Sequence, residues 1–287
     1  MQSADLEFFA AVSQAASIGG AAAKLNTVQS NVTNRIKKLE IDLGVALFER
    51  HSRGVKLTSA GERLLPFATE IGRLLREARF SAMASGAPQG PLAIGAMETT
   101  TALRLGDKLA DFAAKFPDVD LSLRTGTTAE LVEQVLQQQL EGAFVCGPIA
   151  HTRLVSKLAF LEDLVLIAGP ESASLDVFIE RGQTNILVLR RGCSYRLRLT
   201  QLLARRGIAV ARTMEYGSID AIVACSSAGM GVTLLPVDLV AAYRKKYAMS
   251  VIELPEDEAR AETVFIRRAQ AFVSPALAAF KNHLGMT

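Results

Sequence analysis

The hydrophobic pattern changes period along the chain. Up to about residue 84 apolar positions return every three or four residues, the spacing of amphipathic helices, whereas from Leu92 short aliphatic runs alternate with helical stretches. Leu6, Phe9 and Ala10 share a face of a helix predicted over residues 3–15, with Ser3 as N-cap and Asp5 and Glu7 in a first turn whose dipole favours acids. The stretch from Ala21 to Leu43 predicts a short helix carrying Ala21, Ala22 and Leu25, then a break at Asn26-Thr27. A longer helix follows, with Val32, Ile36, Leu39 and Leu43 on one stripe and Gly44 as its stop. Two short strands, 46–50 and 55–58, flank a Ser52-Arg53-Gly54 turn. One long helix is predicted from Ser59 to Ala84, opened by a Ser59/Glu62 capping-box pattern. Its Leu64, Phe67, Ile71, Leu74 and Ala78 fit a coiled-coil seam and equally a helix packed on its own domain, and Pro66 is a local conflict.

The polar positions add chemistry. Opposite its apolar stripe, the longer helix presents Gln29, Ser30, Asn31, Thr33, Asn34, Arg35, Lys37 and Lys38, with Thr27 as the expected N-cap. Amide, hydroxyl and guanidinium donors near a helix start are what a helix-turn-helix inserts into the major groove of double-stranded DNA. The strand pair reads as a wing, with Arg50, His51, Arg53 and Lys56 placed for phosphates. A solvated basic helix is the competing reading. The net charge of +3 over 287 residues points to local basic patches and not to a polycationic scaffold.

On these residues the chain resembles the amino-terminal region of LysR-type transcriptional regulators from residue 1 to about 85. The match runs through Phe8-Phe9, Ala21-Ala22, Leu25, Gln29, Val32, Arg35-Ile36, Leu39-Glu40, Leu43-Gly44, Leu47-Phe48-Glu49-Arg50, Leu57-Thr58 and Ala60-Gly61. Departures are Val28 for a usual serine, Ser30 for a common proline, and Gly19-Gly20 for a common threonine cap; the family also tends to cap the long helix with the threonine at Thr58. The resemblance implies a winged helix-turn-helix over 1–58 and a linker helix, 59–86, that forms a homodimer. It also implies half-sites of an interrupted palindrome and a homotetramer on DNA.

Small residues, glycine and proline from Ala84 to Pro91 read as a boundary, with 87–91 as hinge. Beyond it, strands are predicted at 92–96, 119–124, 142–146, 163–168, 185–189, 210–215, 231–235, 249–254 and 262–267. Helices are predicted near 102–116, 128–140, 194–205, 218–228, 236–246 and 274–284. The alternation implies a multi-domain α/β chain whose second half is mostly parallel sheet in two subdomains. This half resembles the family's two-lobed effector-binding domain, itself similar to periplasmic binding proteins, through Phe116-Pro117, Thr125-Gly126, Leu140-Glu141-Gly142-Ala143 and the run from Gly229 to Pro236. Lobe I is expected at 92–162 plus 268–287 and lobe II at 163–267, with crossings near Leu161–Ala168 and Val264–Arg268.

Ligands of open parallel sheets sit at strand carboxyl ends against helix starts. Three such places stand out: Met97-Glu98-Thr99-Thr100-Thr101, the run Thr125, Thr127 and Thr128, and Arg191 with Cys193-Ser194-Tyr195. Family members commonly grip an effector carboxylate with such hydroxyls, so the resemblance implies a small organic acid or amino acid; for any single threonine, a helix cap is the plainer reading. Cys193 lies among Arg190, Arg191 and Arg196, surroundings expected to lower a thiol pKa, and in the region where peroxide-sensing members keep a reactive cysteine. A redox-sensing regulator using Cys193 is therefore the alternative, although the following helix has no second cysteine, Cys225 is distant in sequence, and Cys146 ends an apolar strand.

An enzyme using the cleft is a more distant alternative. His51, His151 and His283 show no metal spacing, and Gly229-Met230-Gly231 is no dinucleotide fingerprint, so neither cofactor nor metal is expected. No signal-peptide pattern and no membrane-length apolar run occur, and three scattered cysteines form no disulfide framework. The expectation is a cytoplasmic, effector-responsive DNA-binding regulator.

Overall fold

In the computed structural model, which describes residues 1–51, 54–82 and 87–286, these stripes close on the cores of two units, Met1–Gly86 and Ala87–Thr287. In the first, helices α1 (Ser3–Ala15), α2 (Ile18–Lys24) and α3 (Gln29–Leu43) precede strands β1 (Phe48–His51) and β2 (Gly54–Leu57) and the long α4 (Ser59–Ala82). Leu6, Phe9, Val12, Val32, Ile36, Leu39 and Leu47 are buried together, and Phe9 meets Phe48 at 5.2 Å between ring centroids. Glu40 holds the wing to α3 by accepting from the amides of Leu47 (2.8 Å) and Phe48 (3.2 Å). Gly44, at φ 69°, ends α3 as expected.

Several caps differ from expectation. Gln2, not Ser3, sits at the α1 cap position, and its amide donates to Asp5 Oδ2 at 3.1 Å. Val28, not Thr27, is at the α3 cap position, and the Thr27 hydroxyl instead accepts from Asn31 Nδ2 at 3.0 Å. Thr58, not Ser59, opens α4, its Oγ1 accepting from the Gly61 amide at 3.1 Å. In each case the helix starts one residue away from where the polar side chain nearest the apolar run placed it. The stripe of α4 also divides: Leu64, Ala68 and Ile71 pack into the unit's own core, whereas Phe67, Leu74 and Leu75 are exposed.

In the second unit, β3 (Gly90–Ala96) leads into α5 (Glu98–Thr100), a π-helical turn (Thr101–Leu105) and α6 (Gly106–Lys115). Then come β4 (Val119–Thr125), α7 (Thr128–Leu136), β5 (Gly142–Cys146), the long β6 (Leu154–Ala168), α8 (Asp176–Arg181), β7 (Gln183–Val188) and α9 (Ser194–Arg205). The chain ends with β8 (Ala209–Glu215), α10 (Ile219–Ser227), β9 (Thr233–Pro236), α11 (Val237–Tyr243), β10 (Ser250–Ile252), α12 (Glu256–Ala259), β11 (Arg260–Arg268) and α13 (Pro275–His283). Helices α8 and α12, both short, were not foreseen from the pattern. Gly90 and Pro91, expected in the hinge, already pair with Val119 and Asp120.

Mostly parallel sheet is corrected. Among the described residues, parallel pairing joins β3 with β4, β3 with β5 and β7 with β8, and a parallel bridge links Ile186 of β7 to Val232. The strands that join the lobes are antiparallel to their neighbours, because the chain leaves lobe I along β6 and returns alongside it on β11. Residues Leu154–Asp163 of β6 pair with β11, and Leu164–Ala168 pair with β9 and β10, so one strand serves both sheets. The return crossing comes earlier than Val264, since Arg260 already faces Asp163 and Val264–Ile266 pair with β5 in lobe I. Alternation along β6 feeds two cores: Leu164 and Leu166 enter one with Leu131, Val145 and Ile266, while Val165 and Ile167 enter another with Val223 and Leu239.

Two ion pairs brace these units. Arg35 Nη1 lies 2.9 Å from Asp5 Oδ1, which is fully buried, and its guanidinium sits over the Phe8 ring. Burial pushes the Asp5 carboxyl up, but hydrogen bonds from Arg35 and the Gln2 amide, with the charges of Arg35 and Lys38, outweigh it and leave the group below its ordinary value. In the second unit Arg104 grips the buried Glu162 through Nε (3.2 Å) and Nη2 (3.0 Å) and reaches Asp238 of α11 at 2.8 Å, joining the π turn to β6 and lobe II.

We expect Arg35→Met to destabilise the first unit by about 2 kcal/mol at neutral pH, less than a fully buried pair would cost because Arg35 is partly exposed. Asp5 is depressed in the folded state, so its contribution is present above the unfolded carboxylate pKa and fades as pH falls through the folded one. Hydrogen exchange of α1 and α3 amides across an acid pH series checks both. Arg104→Met strands the Glu162 carboxylate and should cost about 3 kcal/mol by urea denaturation. The double variant Arg104→Met/Glu162→Met should recover most of that loss.

Candidate nucleic-acid interface and ligand cleft

Within the first unit, the outer face of α3 carries exposed Gln29, Ser30, Asn31, Asn34, Lys37 and Lys38, with Thr27, Thr33 and Arg35 half-buried. Helical spacing forces this division: Val32, Ile36 and Leu39 are drawn inward, so residues between them turn to solvent. Arg35 differs from the expected base-reading group, because its guanidinium is committed to Asp5 and Phe8. It fastens α3 to α1. Val28, at the front of α3, is 65% exposed, an apolar surface beside the polar donors. Arg53 lies outside the described residues, as does the side chain of Arg50; His51 and Lys56 are exposed on the wing.

The second unit holds a cleft of about 280 Å³ between the lobes. From lobe I it is lined by Met97, Glu98 and Thr99 after β3, and by Thr125, Thr127 and Thr128 after β4. Lobe II contributes Cys193, Ser194 and Tyr195 at the start of α9. The three strand-end segments singled out in sequence thus meet in space. Thr100 is buried outside the lining, Thr101 turns its hydroxyl onto the Met97 carbonyl at 3.0 Å, and Arg191 is exposed, its neighbour Arg190 lining the cleft instead. Gly126, Leu189, Tyr216 and Gly217 also line it and were not foreseen. Tyr216-Gly217 follows the end of β8 at Glu215, just before Ser218 caps α10, the same strand-end signal that found the others.

The hydroxyls do different jobs. Thr127 caps α7, its Oγ1 accepting from the Glu130 amide (3.4 Å) while the Glu130 carboxylate accepts from the Thr127 amide (2.8 Å). That amide bond, with the Thr127 hydroxyl and Arg190 assisting against burial, holds the Glu130 carboxyl below its usual value. Arg190 reaches Glu130 from the other lobe at 3.6 Å. Thr128 Oγ1 accepts from the Cys146 amide (3.2 Å) and from Ser194 Oγ (3.0 Å), so one hydroxyl pair spans the cleft. Gly192 permits this approach: at φ 91°, a Cβ there would stand 2.7 Å from Thr127 Oγ1. Helix α9 opens at Cys193 with no hydroxyl or carboxylate cap, and α7 opens at Thr127, so two helix N-termini border the same space.

The expected lowering of the Cys193 thiol pKa is not found. Burial pushes it up and outweighs the amides of Tyr195 and Arg196 and the Arg196 charge. Burial likewise raises the Cys146 thiol and the Tyr195 phenol, the latter against a lowering contribution from Thr99. The neighbouring Cys225 raises the Tyr216 phenol above its ordinary value.

Residues 3–62 match the family model described as bacterial regulatory helix-turn-helix protein, lysR family, and residues 85–286 match that of the LysR substrate binding domain. The chain is 39% identical over 279 residues to the HTH-type transcriptional regulator GltR of Bacillus subtilis strain 168, covering 97% of this chain and 94% of that protein. With the HTH-type transcriptional regulator YofA of the same strain it shares 40% identity over 284 residues, 99% and 98% of the two chains. Among solved structures, full-length CbnR complexed with its target DNA is similar at TM-score 0.68 and 26% identity over 99% of each chain. A full-length OxyR variant from Pseudomonas aeruginosa is similar in fold at TM-score 0.75 and 20% identity, covering 99% of this chain and 94% of that one. With both units matched, the chain belongs to the LysR family: it is a DNA-binding transcriptional regulator with a helix-turn-helix unit and a substrate-binding domain for an effector.

Proposed function

We propose that the protein is a cytoplasmic regulator whose α3 reads half-sites of an interrupted palindrome and whose effector, a small organic acid or amino acid, binds between lobes I and II. The observation that carries the effector reading is the meeting of Thr128, Ser194 and two helix starts, α7 and α9, around one cleft; hydroxyls and helix N-termini suit a carboxylate. Gln29, Ser30, Asn34, Lys37 and Lys38 are the groups offered to DNA, and Arg35 acts through the placement of α3. Phe67, Leu74 and Leu75 form an exposed apolar stripe on α4 that supports a homodimer through the linker helix, and two dimers would form the tetramer. Effector binding then changes the relation of the lobes and, through the assembly, the pose of the DNA-binding pairs. The curated relatives are named as transcriptional regulators, which agrees with regulation in place of catalysis.

Anisotropy titrations on DNA upstream of the protein's own gene, over a salt series, test the first half. Asn34→Ala should lose about tenfold or more on the specific site and little on random DNA, while Lys37→Ala weakens both and reduces the salt slope by about 1. Sequence-indifferent binding that neither variant changes would sink the reading of α3. For the cleft, a calorimetric screen of small organic acids and amino acids should yield a ligand that alters the DNA footprint and binds Ser194→Ala about tenfold more weakly. A ligand that binds the cleft but leaves both affinity and footprint unchanged would count against the effector role.

A further inference from the structure

A second cavity, of about 400 Å³, lies within lobe II and shares no lining residue with the cleft. Strand β7 relates the two: Thr184 and Asn185 at its beginning line the cavity, and Leu189 just past its end lines the cleft. At a strand rise near 3.3 Å per residue, Thr184 and Leu189 are about 17 Å apart. The cavity is therefore a separate place on the same strand.

Its construction is specific. The pairing of β7 with β8 slips between Thr184 and Asn185, which face Val210 and Arg212 and leave Ala211 as an extra residue at the cavity wall. Bulges of this kind re-aim side chains and concentrate beside binding sites. Asn185 is fixed by its Nδ2 donating to the Met230 carbonyl at 3.0 Å, which leaves its Oδ1 free to accept. Ser172 is 8% exposed and lines the cavity, yet its hydroxyl has no hydrogen-bond partner among the described residues. That hydroxyl can therefore bond a molecule entering the cavity without giving up a protein partner. Thr184, equally buried, makes only a long bond to the Asn185 carbonyl at 3.3 Å.

The charge of the lining is one-sided. Arg181, at the last turn of α8, is the lining's single ionisable side chain, and it has no ion-pair partner among the described residues. Phe178 and Met230 supply apolar surface beside it. One guanidinium without an ion pair among the described residues, the hydroxyls of two largely buried residues and a short apolar wall fit a small carboxylate-bearing molecule, its carboxylate on Arg181 and its hydrogen-bonding groups toward Ser172 and Thr184. We infer that lobe II carries a second small-molecule site, distinct from the interlobe cleft, that takes a small carboxylate through Arg181, Ser172 and Thr184.

The test is a two-dimensional amide NMR titration of the full chain with succinate, with uncharged succinamide as the control. Saturable shifts are expected at Gly229 and Gly231, weakened about tenfold or more in Arg181→Gln and in Ser172→Ala and unaffected by Ser194→Ala in the cleft. Arg181 is exposed, so its variant is expected to fold; Thr184→Val is the buried second check. The inference is overturned if no saturable shift occurs, if shifts appear only near Thr128 and Ser194, if Arg181→Gln titrates like the wild type, or if succinamide binds as well as succinate.

Discussion

The second unit depends on β6. Because Leu154–Asp163 belong to one sheet and Leu164–Ala168 to the other, the lobes share a continuous strand as well as a covalent connection, and β11 runs beside its first part in the opposite direction. The register shift between Thr263 and Val264, opposite Phe160 and Leu158, falls close to where the strand passes from one sheet to the other. A bulge at that point increases local twist and bends the ladder. Beyond Asp163, β6 runs on alone into the second sheet, beside β9 and β10. Everything that lines the cleft is then carried on segments whose position follows from these strands.

That arrangement explains what the sequence could and could not disclose. Short aliphatic runs located most strands of the second unit but began β6 at residue 163 and missed its exposed first part from Leu154, and the strand-end rule located most of the cleft lining, including Thr128 and Ser194, which lie 66 residues apart. Strand direction was not legible. A buried aliphatic run such as Leu164–Ala168 reads alike in parallel and antiparallel sheet, because both its faces are covered. Whether a threonine serves as a cap or offers a free hydroxyl was equally closed to inspection, since Thr127 and Thr128 are neighbours of one type with opposite employments. Arg35 shows the same limit in the first unit: its place on the polar side of α3 was clear, but the buried carboxylate thirty positions earlier that claims it was not.

The thiol at Cys193 illustrates how burial can reverse a local electrostatic argument. Three arginines surround it in sequence, and two nearby amides and Arg196 do act to lower its pKa. Desolvation is the larger effect, since a charged thiolate would have to form among Tyr195 and the other covered lining groups. Counting neighbours along the chain overweights charge and ignores the cost of removing water. The same reasoning, run the other way, explains why the buried Asp5 carboxylate stays charged: it has a guanidinium and an amide within hydrogen-bonding distance, and Cys193 has no comparable partner of opposite charge in direct contact.

The contacts that span the cleft differ in scale from the strands that join its lobes. Ser194 to Thr128 is a neutral hydrogen bond, worth about 1 kcal/mol net, and Arg190 to Glu130 is an exposed pair worth no more. Arg104 with Glu162 and Asp238 is stronger, but it anchors in β6 itself, so its bond to Glu162 does not depend on the separation of the lobes. Only its arm to the exposed Asp238 crosses to lobe II. A carboxylate of the kind proposed, inserted at Thr128 and Ser194, would exchange one weak bond for charge-assisted ones, with β6 and β11 still paired. The polar contacts across the gap are thus weak, while apolar packing, with Met97 and Leu131 in the same core as Val188 and Tyr195, also joins the lobes, so a ligand shifts them only by its own differential affinity for their two arrangements.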